Sequence, residues 1–223
     1  MITERANIIR QNRRTIKIII EQNGDINIYA PKHISICEIE RLVGNKESWA
    51  IKKSQIQKNK TSMLEDVFTY NSAFLFGKKY KIVVGSCKKI GLTEEYIVIP
   101  EKYKDKQQLI TALKKWYKKL AQEVLVKRAE TLKDETGLKY NGIKIGDFRA
   151  KWGSCDSNQE IKLNYKLVML PHNVIDAVIL HELVHTKEMS HSRNFYNKLI
   201  AVMPEYKKYR AVLKENNYLL KLY

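Results

Sequence analysis

The sequence predicts an α+β fold in which an antiparallel β-rich N-terminal region, residues 1–104, precedes a mainly helical region, residues 105–223. Short β-branched runs of strand length recur in the first region, and Asn23-Gly24 between two of them is typical of a tight hairpin turn. After Asp105, apolar residues recur every three or four positions, which indicates amphipathic helices. Sheet with helical interruptions is therefore expected first, and helices afterwards.

The N-terminal region is predicted to contain a hairpin, two helices, a loop and two further strands. Pro31 closes the hairpin, because proline lacks the N–H that a strand interior needs. Ser35 and Glu38 form a capping box that starts the first helix. The elements are expected in this order: hairpin 15–30, a helix after Ser35, a helix over 46–58, a loop over 60–71, and strands over 80–84 and 95–100.

The second region opens with a long helix that begins near Asp105 and ends at Gly137, a residue suited to a helix C-terminus. Two strands, 143–149 and 160–164, are expected around a compact turn at 151–155. Pro171 fits the first turn of the next helix, which is apolar on one side. Two more helices should follow, the last ending near Glu215.

The polar face of the long helix carries four lysines, at positions 114, 115, 118 and 119. They are interpreted either as a phosphate-binding stripe or as an ordinary solvated face.

Composition limits the class of protein. The net charge of +17 predicts an anionic partner such as nucleic acid, unless lysine is simply the default surface residue of a lysine-rich proteome. The three cysteines lie far apart without a CxxC motif, which favours a reducing compartment. The chain has no signal-peptide pattern and no apolar run of about 18 residues, so we expect a cytoplasmic protein without a membrane partner.

The stretch from His181 to His191 carries the chemistry. Three of the five histidines fall within it. On a helix, His181 and His185 share one face and present two imidazoles to one point, with Glu182 beside them. This is the HExxH pattern of zinc hydrolases, in which the glutamate is the general base toward water. A solvated helix face is the alternative, but the surrounding residues are apolar, and buried unpaired histidine and glutamate would be costly.

The third ligand must come from outside the HExxH helix. His191 is favoured, because Ser190 and Ser192 suit the turn that would bring it back toward the helix. Glu188, Glu205 and Glu215 are the competing ligands. Three protein ligands would leave the fourth position for water, as in catalytic zinc sites. The residue that stabilises the oxyanion remains open among Arg149, Lys151, Tyr165 and Tyr196.

Residues 181–185, together with 190–192 and Phe195, resemble the YgjP-like metallopeptidase family. So do residues 151–155, followed by 161–164 and Leu167, and the segment from 13 to 31 is also similar. The resemblance is specific only from about 148 to 196. It implies a zincin-like region with the HExxH helix under a small sheet. It also implies a Zn²⁺ site at His181, His185 and His191, with Glu182 as general base, and a relation to SprT-like peptidases, which process proteins attached to DNA.

Two departures from the family pattern are Ser190, where asparagine is common, and Tyr196, where tryptophan is common; both keep polarity or aromatic bulk. Cys155 is interpreted as a structural thiol, although a thiolate ligand is the alternative.

We expect a zinc peptidase whose protein or peptide substrate lies extended along a sheet edge. The alternatives are a nucleic-acid-associated protease and a non-catalytic, zinc-stabilised binding module, which would need a fourth protein ligand such as Cys155 or Glu205.

Overall fold

The computed structural model describes residues 1–21, 23–68, 71–103 and 105–222, and of residues 59–68 it describes the backbone only. The fold is α+β with three small sheets, and the chain divides into two compact units, Met1–Thr69 and Tyr70–Tyr223. The boundary predicted between residues 104 and 105 falls inside the second unit. No helix among the described residues is both long enough and apolar enough to cross a bilayer.

The first unit is a three-stranded sheet with two helices. The strands are β1 (Ala6–Gln11), β2 (Lys17–Ile20) and β3 (Ile26–Pro31), and the helices are α1 (Ile36–Val43) and α2 (Glu47–Phe68). The sheet order is β1-β3-β2, with β1 parallel and β2 antiparallel to β3. Its core joins the inner face of the sheet to the helices through Ile2, Ile26, Ile28, Ala30, Ile39, Val43 and Ala50.

The turns and caps of this unit follow from local chemistry. Gly24 has φ +87°, a conformation that glycine adopts without steric cost, and this confirms the predicted hairpin turn. The Ser35 side chain accepts a hydrogen bond from the Glu38 backbone N–H, so α1 begins where expected. The loop predicted over 60–71 is wrong as far as Phe68, because α2 continues through it; residues 69–70 lie outside the described residues.

The second unit begins with a four-stranded sheet, and this sheet is mixed. Its strands are β4 (Ser72–Leu75), β5 (Lys78–Gly85), β6 (Gly91–Leu92) and β7 (Tyr96–Pro100), in the order β4-β5-β7-β6. The expectation of a mostly antiparallel N-terminal sheet is therefore wrong in detail. Strand β7 runs parallel to β5 on one side and pairs with the short, antiparallel β6 on the other.

This sheet belongs with the C-terminal helices because the turn between β4 and β5 docks on them. The backbone N–H groups of Phe76 and Gly77 donate to the carbonyls of Val168 and Met169 at 2.7 and 3.1 Å. The Phe76 ring also stacks on His172, with centroids 4.5 Å apart. These contacts tie the four-stranded sheet to residues 168–172 within the second unit.

The remaining elements form a small sheet and a group of helices. They are α3 (Lys106–Thr136), β8 (Gly142–Gly146), β9 (Gly153–Cys155), β10 (Glu160–Asn164), a 3-10 helix (Tyr165–Met169), α4 (His172–His185), α5 (Arg193–Val202), α6 (Tyr206–Glu215) and a 3-10 helix (Asn217–Lys221). Asp105 caps α3 by accepting from the Gln108 N–H, and Gly137 ends it at φ +69°. The sheet order is β8-β10-β9, with β10 parallel to β8 and antiparallel to β9.

Helix α4 lies at the centre of this unit. It contacts α3, α5 and α6 and also β9 and β10 of the small sheet, so the motif helix packs against that sheet as expected. Most residues of α4 are apolar, and they are distributed around the whole helix rather than on one face. The helix is therefore buried on nearly every side. The Arg128 guanidinium of α3 binds the Asp176 carboxylate of α4 through two hydrogen bonds of 2.8 and 2.9 Å.

Candidate metal centre

Three imidazoles converge at the C-terminal end of α4. His181 and His185 are one helical turn apart, and their Nε2 atoms lie 3.2 Å from each other. The chain leaves the helix after His185 and returns His191 to the same point. Its Nε2 atom lies 3.0 Å from Nε2 of His181 and 3.2 Å from Nε2 of His185. The three predicted ligands are therefore brought together as the spacing and turn chemistry indicated.

The mutual spacing of these three nitrogens fits ligation of a single metal ion. Ligands bonded to tetrahedral zinc at about 2.0–2.1 Å lie about 3.3–3.4 Å apart. The observed separations of 3.0–3.2 Å are close to this value. The Phe195 ring packs behind the cluster, with its centroid 4.5–4.9 Å from the three imidazole centroids.

Neighbouring groups orient two of the imidazoles. The Nδ1–H of His185 donates to the Glu188 carbonyl oxygen at 3.1 Å, which leaves Nε2 as the lone-pair atom. Nδ1 of His181 lies 2.9 Å from the Tyr206 hydroxyl, and the same tautomer follows when Nδ1–H donates to that oxygen. Such outer hydrogen bonds fix the tautomer and ring orientation of metal-binding histidines.

The electrostatics of the cluster favour neutral imidazoles. Burial, with smaller contributions from His185, His191 and Arg210, lowers the pKa of His181 to about 3. Burial also lowers the pKa of His185, although its hydrogen bond to the Glu188 carbonyl opposes the shift. A neutral imidazole offers the lone pair that a metal needs, so these two residues are suited to ligation throughout the neutral pH range.

Glu182 lies beside the cluster in a nearly closed environment. Its side chain is 5% exposed, and burial raises its pKa to about 8 although the positive charge of Lys151 opposes the shift. Gly153 of β9 makes room for it: a Cβ at Gly153 would come within 2.7 Å of Oε1 of Glu182. A carboxyl group held in this way can exchange a proton near neutral pH, which is what a general base requires.

A cavity of about 160 Å³ opens next to Glu182 and His181. Trp152 forms one wall with its ring largely buried, and its Nε1–H donates to Asn217 Oδ1 at 2.9 Å. Trp152 is therefore a packed residue that also borders the site. The remaining walls come from α4, β9 and α6.

Strand β9 forms the edge of the small sheet beside α4. Among the described residues, its strand neighbour is β10 on one side. The Asn164 N–H donates to the Trp152 carbonyl, and the Asp156 N–H donates to the Glu160 carbonyl. Because bonding to the partner alternates along an antiparallel strand, Gly153 and Cys155 direct their peptide groups to the open edge.

The competing ligands lie elsewhere. Glu205 accepts hydrogen bonds from Tyr209 and Lys208, and the Glu188 carboxylate accepts one from Ser190. Cys155 keeps its proton, because burial and the nearby Glu182 and Asp156 charges raise the pKa of the thiol to about 11. In the part of the chain that the structure describes, no fourth histidine, cysteine or carboxylate joins the three histidines.

The four candidates for the oxyanion donor separate into two groups. The positive charge of Lys151 is close enough to Glu182 to oppose the rise in the pKa of its carboxyl group, and the Tyr196 ring lies 6.3 Å from that of His191. Tyr165 instead lies in the core beneath Lys118, 5.5 Å from its amino group. Arg149 acts on the pKa of Lys166. Lys151 and Tyr196 therefore stay candidates for the oxyanion donor. Tyr165 and Arg149 instead lie near Lys118 and Lys166, respectively.

Tyr206 is the site residue that the sequence did not reveal. It follows Pro204 at the start of α6, 25 residues after the histidine it contacts, and no short motif links the two. Its ring stacks on His181 at an interplanar angle of 16°, and its side chain is buried. Only the packing of α6 against α4 brings it to the site.

An α+β unit with three converging histidines and a buried glutamate on an HExxH helix has the features of a metal-dependent hydrolase. The sequence model of the YgjP-like, metallopeptidase domain matches residues 14–216. The chain belongs to this family. Searches of curated proteins and of solved structures gave no significant match.

Proposed function

We propose that the protein is a zinc-dependent peptidase with a zincin-like catalytic region. The observation that carries this proposal is the convergence of three Nε2 atoms within 3.2 Å of one another, next to a buried carboxyl group. Three nitrogen ligands suit Zn²⁺ over the oxygen-preferring Mg²⁺ and Ca²⁺. Membership of the YgjP-like family supports the reaction class.

Zinc held by His181, His185 and His191 would polarise the scissile carbonyl and acidify water. Glu182 then has two tasks. It accepts a proton as the water oxygen adds to the carbonyl carbon, and it donates that proton to the amine nitrogen as the C–N bond breaks. Its burial beside Gly153 keeps the carboxyl group in place for both steps.

The substrate is proposed to be a protein or peptide in extended conformation. The outward peptide groups of Gly153 and Cys155 can pair with its backbone as an added strand on β9. The cavity of about 160 Å³ beside Trp152 can then receive one side chain of the bound segment. Backbone pairing would give affinity that is largely independent of sequence, and the cavity would add a preference at one position.

An open site argues for catalysis rather than for a zinc-stabilised binding module. A structural zinc site is closed by four protein ligands, whereas a catalytic site keeps one position for water or substrate. Cys155 and Glu205 would be the ligands that close this site. In the described part of the chain neither joins the three histidines, and Glu205 is bound by Tyr209 and Lys208.

The test compares Glu182→Gln with the unaltered protein and with Glu188→Gln as a matched control. Glu188 contributes its backbone carbonyl to His185, and the control keeps that carbonyl. Both variants should bind one zinc ion, measured by elemental analysis. Only Glu182→Gln should lose hydrolysis of a mixed peptide library, by about 10³-fold or more if it is the general base. Equal turnover in the two variants would remove Glu182 from this role.

Substrate identification uses the same pair of variants. New protein termini should appear in a cell lysate treated with the unaltered protein and not in one treated with Glu182→Gln. A chelator should abolish the cleavage, and zinc should restore it where magnesium does not. Cleavage that survives complete metal removal would contradict a metal-dependent reaction.

A further inference from the structure

A groove of about 480 Å³ runs along α3 in the second unit. Its other wall comes from the segments around residues 88–90 and 102–103. Five lysines line it: Lys88, Lys89, Lys102, Lys115 and Lys119. We call it the lysine groove. It contains one acidic residue, Glu123, so it concentrates positive charge in a concave surface.

The charges of this groove are available to a ligand. Among the described residues, no carboxylate lies within 4.0 Å of the amino groups of four of the five lysines, and Lys119 lies 3.9 Å from Glu123 with 76% of its side chain exposed. The neighbouring lysines of α3 differ. Lys114 and Lys118 bind the Asp147 carboxylate at 2.8 and 3.5 Å. The lysine stripe of α3 is thus divided between an internal ion-pair cluster and the groove.

Two aromatic side chains lie among these lysines. Tyr103 and Trp116 both line the groove, and the Lys102 amino group lies 5.3 Å from the centroid of the Tyr103 ring. Rings interspersed with cations match a ligand that alternates flat bases with phosphates. A purely acidic peptide would use the lysines but would have no planar group to stack on these rings.

We propose that the lysine groove binds single-stranded nucleic acid. The lysines would contact phosphates, and Trp116 and Tyr103 would stack on bases. A duplex fits less well, because its bases are already stacked and paired and their faces are not free. The groove uses no residue of α4, α5 or α6, so binding there is separate from the metal centre and does not depend on the proposed peptidase activity.

The experiment measures binding of a fluorescein-labelled 20-nucleotide oligothymidylate to the full chain by anisotropy, over a range of salt concentrations. For single strands, log K falls with log salt by about 0.7 per phosphate contacted, so five contacts give a slope near −3.5. The double variant Lys88→Gln with Lys115→Gln should bring the slope closer to zero by about 1.4. The control, Lys139→Gln with Lys214→Gln, removes the same charge from exposed positions outside the groove and should change the slope little.

Stacking is tested separately from charge. Trp116→Leu should weaken binding about 5- to 150-fold while leaving the salt slope unchanged. Since Trp116 is partly buried, circular dichroism must first show that this variant is folded; Tyr103→Leu provides a second stacking variant. Glu182→Gln should bind the oligonucleotide as tightly as the unaltered protein does, which keeps this result distinct from the outcome for the peptidase.

Three results would overturn the proposal. The first is no binding of the oligonucleotide at low salt. The second is an equal change of slope in the groove pair and the control pair, which would mean that the whole basic surface attracts the strand without a site. The third is an oligoglutamate peptide that competes at equal charge while neither aromatic substitution weakens oligonucleotide binding, which would assign the groove to acidic peptides.

Discussion

Gly153 of β9 and Glu182 of α4 approach each other so closely that no side chain fits between them. A Cβ at Gly153 would lie 2.7 Å from Oε1, 2.9 Å from Cγ and 3.1 Å from Cδ of Glu182. Gly153→Ala must therefore displace the carboxyl group. We expect turnover to fall by about 100-fold or more, because general-base catalysis depends on position. Zinc content, measured in parallel, should stay at one ion, since the histidines are not displaced.

Gly91→Ala is the matched control for this substitution. A Cβ at Gly91 would meet no heavy atom within 4 Å, so the alanine is accommodated. Its turnover and unfolding midpoint should stay close to those of the unaltered protein. If Gly153→Ala were as active as Gly91→Ala, the contact with Glu182 would have no catalytic consequence.

The Tyr206 hydroxyl is the hydrogen-bond partner of Nδ1 of His181. Tyr206→Phe keeps the ring that stacks on the imidazole and removes only this partner. We expect zinc affinity to fall about 10- to 100-fold, as for other outer hydrogen bonds to metal ligands. Competition with a fluorescent chelator measures this change.

Tyr209→Phe serves as the control on the same helix. Its hydroxyl donates to Glu205 at 2.7 Å and has no contact with the histidines. Zinc affinity in this variant should match that of the unaltered protein. Equal zinc affinities in Tyr206→Phe and Tyr209→Phe would show that Tyr206 acts only through the packing of α6.

The Asp147 carboxylate forms ion pairs with Lys114, Lys118 and Lys166, and Lys166 is buried. Burial alone would raise the pKa of the Asp147 carboxyl, but Lys114, Lys166 and Lys118 outweigh it and hold the pKa below its usual value. The stability from this group is therefore present above about pH 4 and is lost as the pH falls through the lowered folded-state pKa.

Asp147→Asn should accordingly lower the free energy of unfolding by about 2–3 kcal/mol at pH 7, in part because the buried Lys166 charge loses its partner. The difference from the unaltered protein should shrink below about pH 4. Urea unfolding at several pH values measures it. Asp134→Asn, at an exposed position of α3, should change the free energy by at most about 0.5 kcal/mol at any pH. A pH-independent loss in Asp147→Asn would contradict the electrostatic origin.

The pair of hydrogen bonds from Arg128 to Asp176 joins α3 to the first turns of α4. Arg128→Lys keeps the charge but cannot reproduce both bonds, because lysine lacks the planar fork. We expect a loss of about 1 kcal/mol in the free energy of unfolding. An unchanged urea midpoint would indicate that the charge alone supplies the stability.

The features predicted correctly from sequence depend on neighbouring residues. Asn23-Gly24 predicted the first hairpin, Asp105 and Gly137 predicted the ends of α3, and the i, i+4 spacing placed His181 and His185 on one face. In each case the decisive interaction spans at most a few residues. Turn, cap and helix patterns are therefore readable without knowledge of tertiary contacts.

The features that were missed depend on distant partners. No element was predicted before residue 15, yet β1 pairs in parallel with β3, twenty residues away. Gly153–Cys155, expected within a turn, forms a strand because β10 lies beside it. Tyr206 reaches His181 only through the packing of α6 on α4. Periodicity and turn chemistry contain no information on such pairings.

The two oriented histidines differ in what a point mutation can change. His185 is held by the backbone carbonyl of Glu188, which every amino acid at that position would supply. His181 is held by the Tyr206 hydroxyl, which a single substitution removes. Position 206 is thus the place where an engineer could adjust metal affinity in steps while leaving all three ligands intact. Position 188 offers no such adjustment, because its contribution to His185 comes from the backbone.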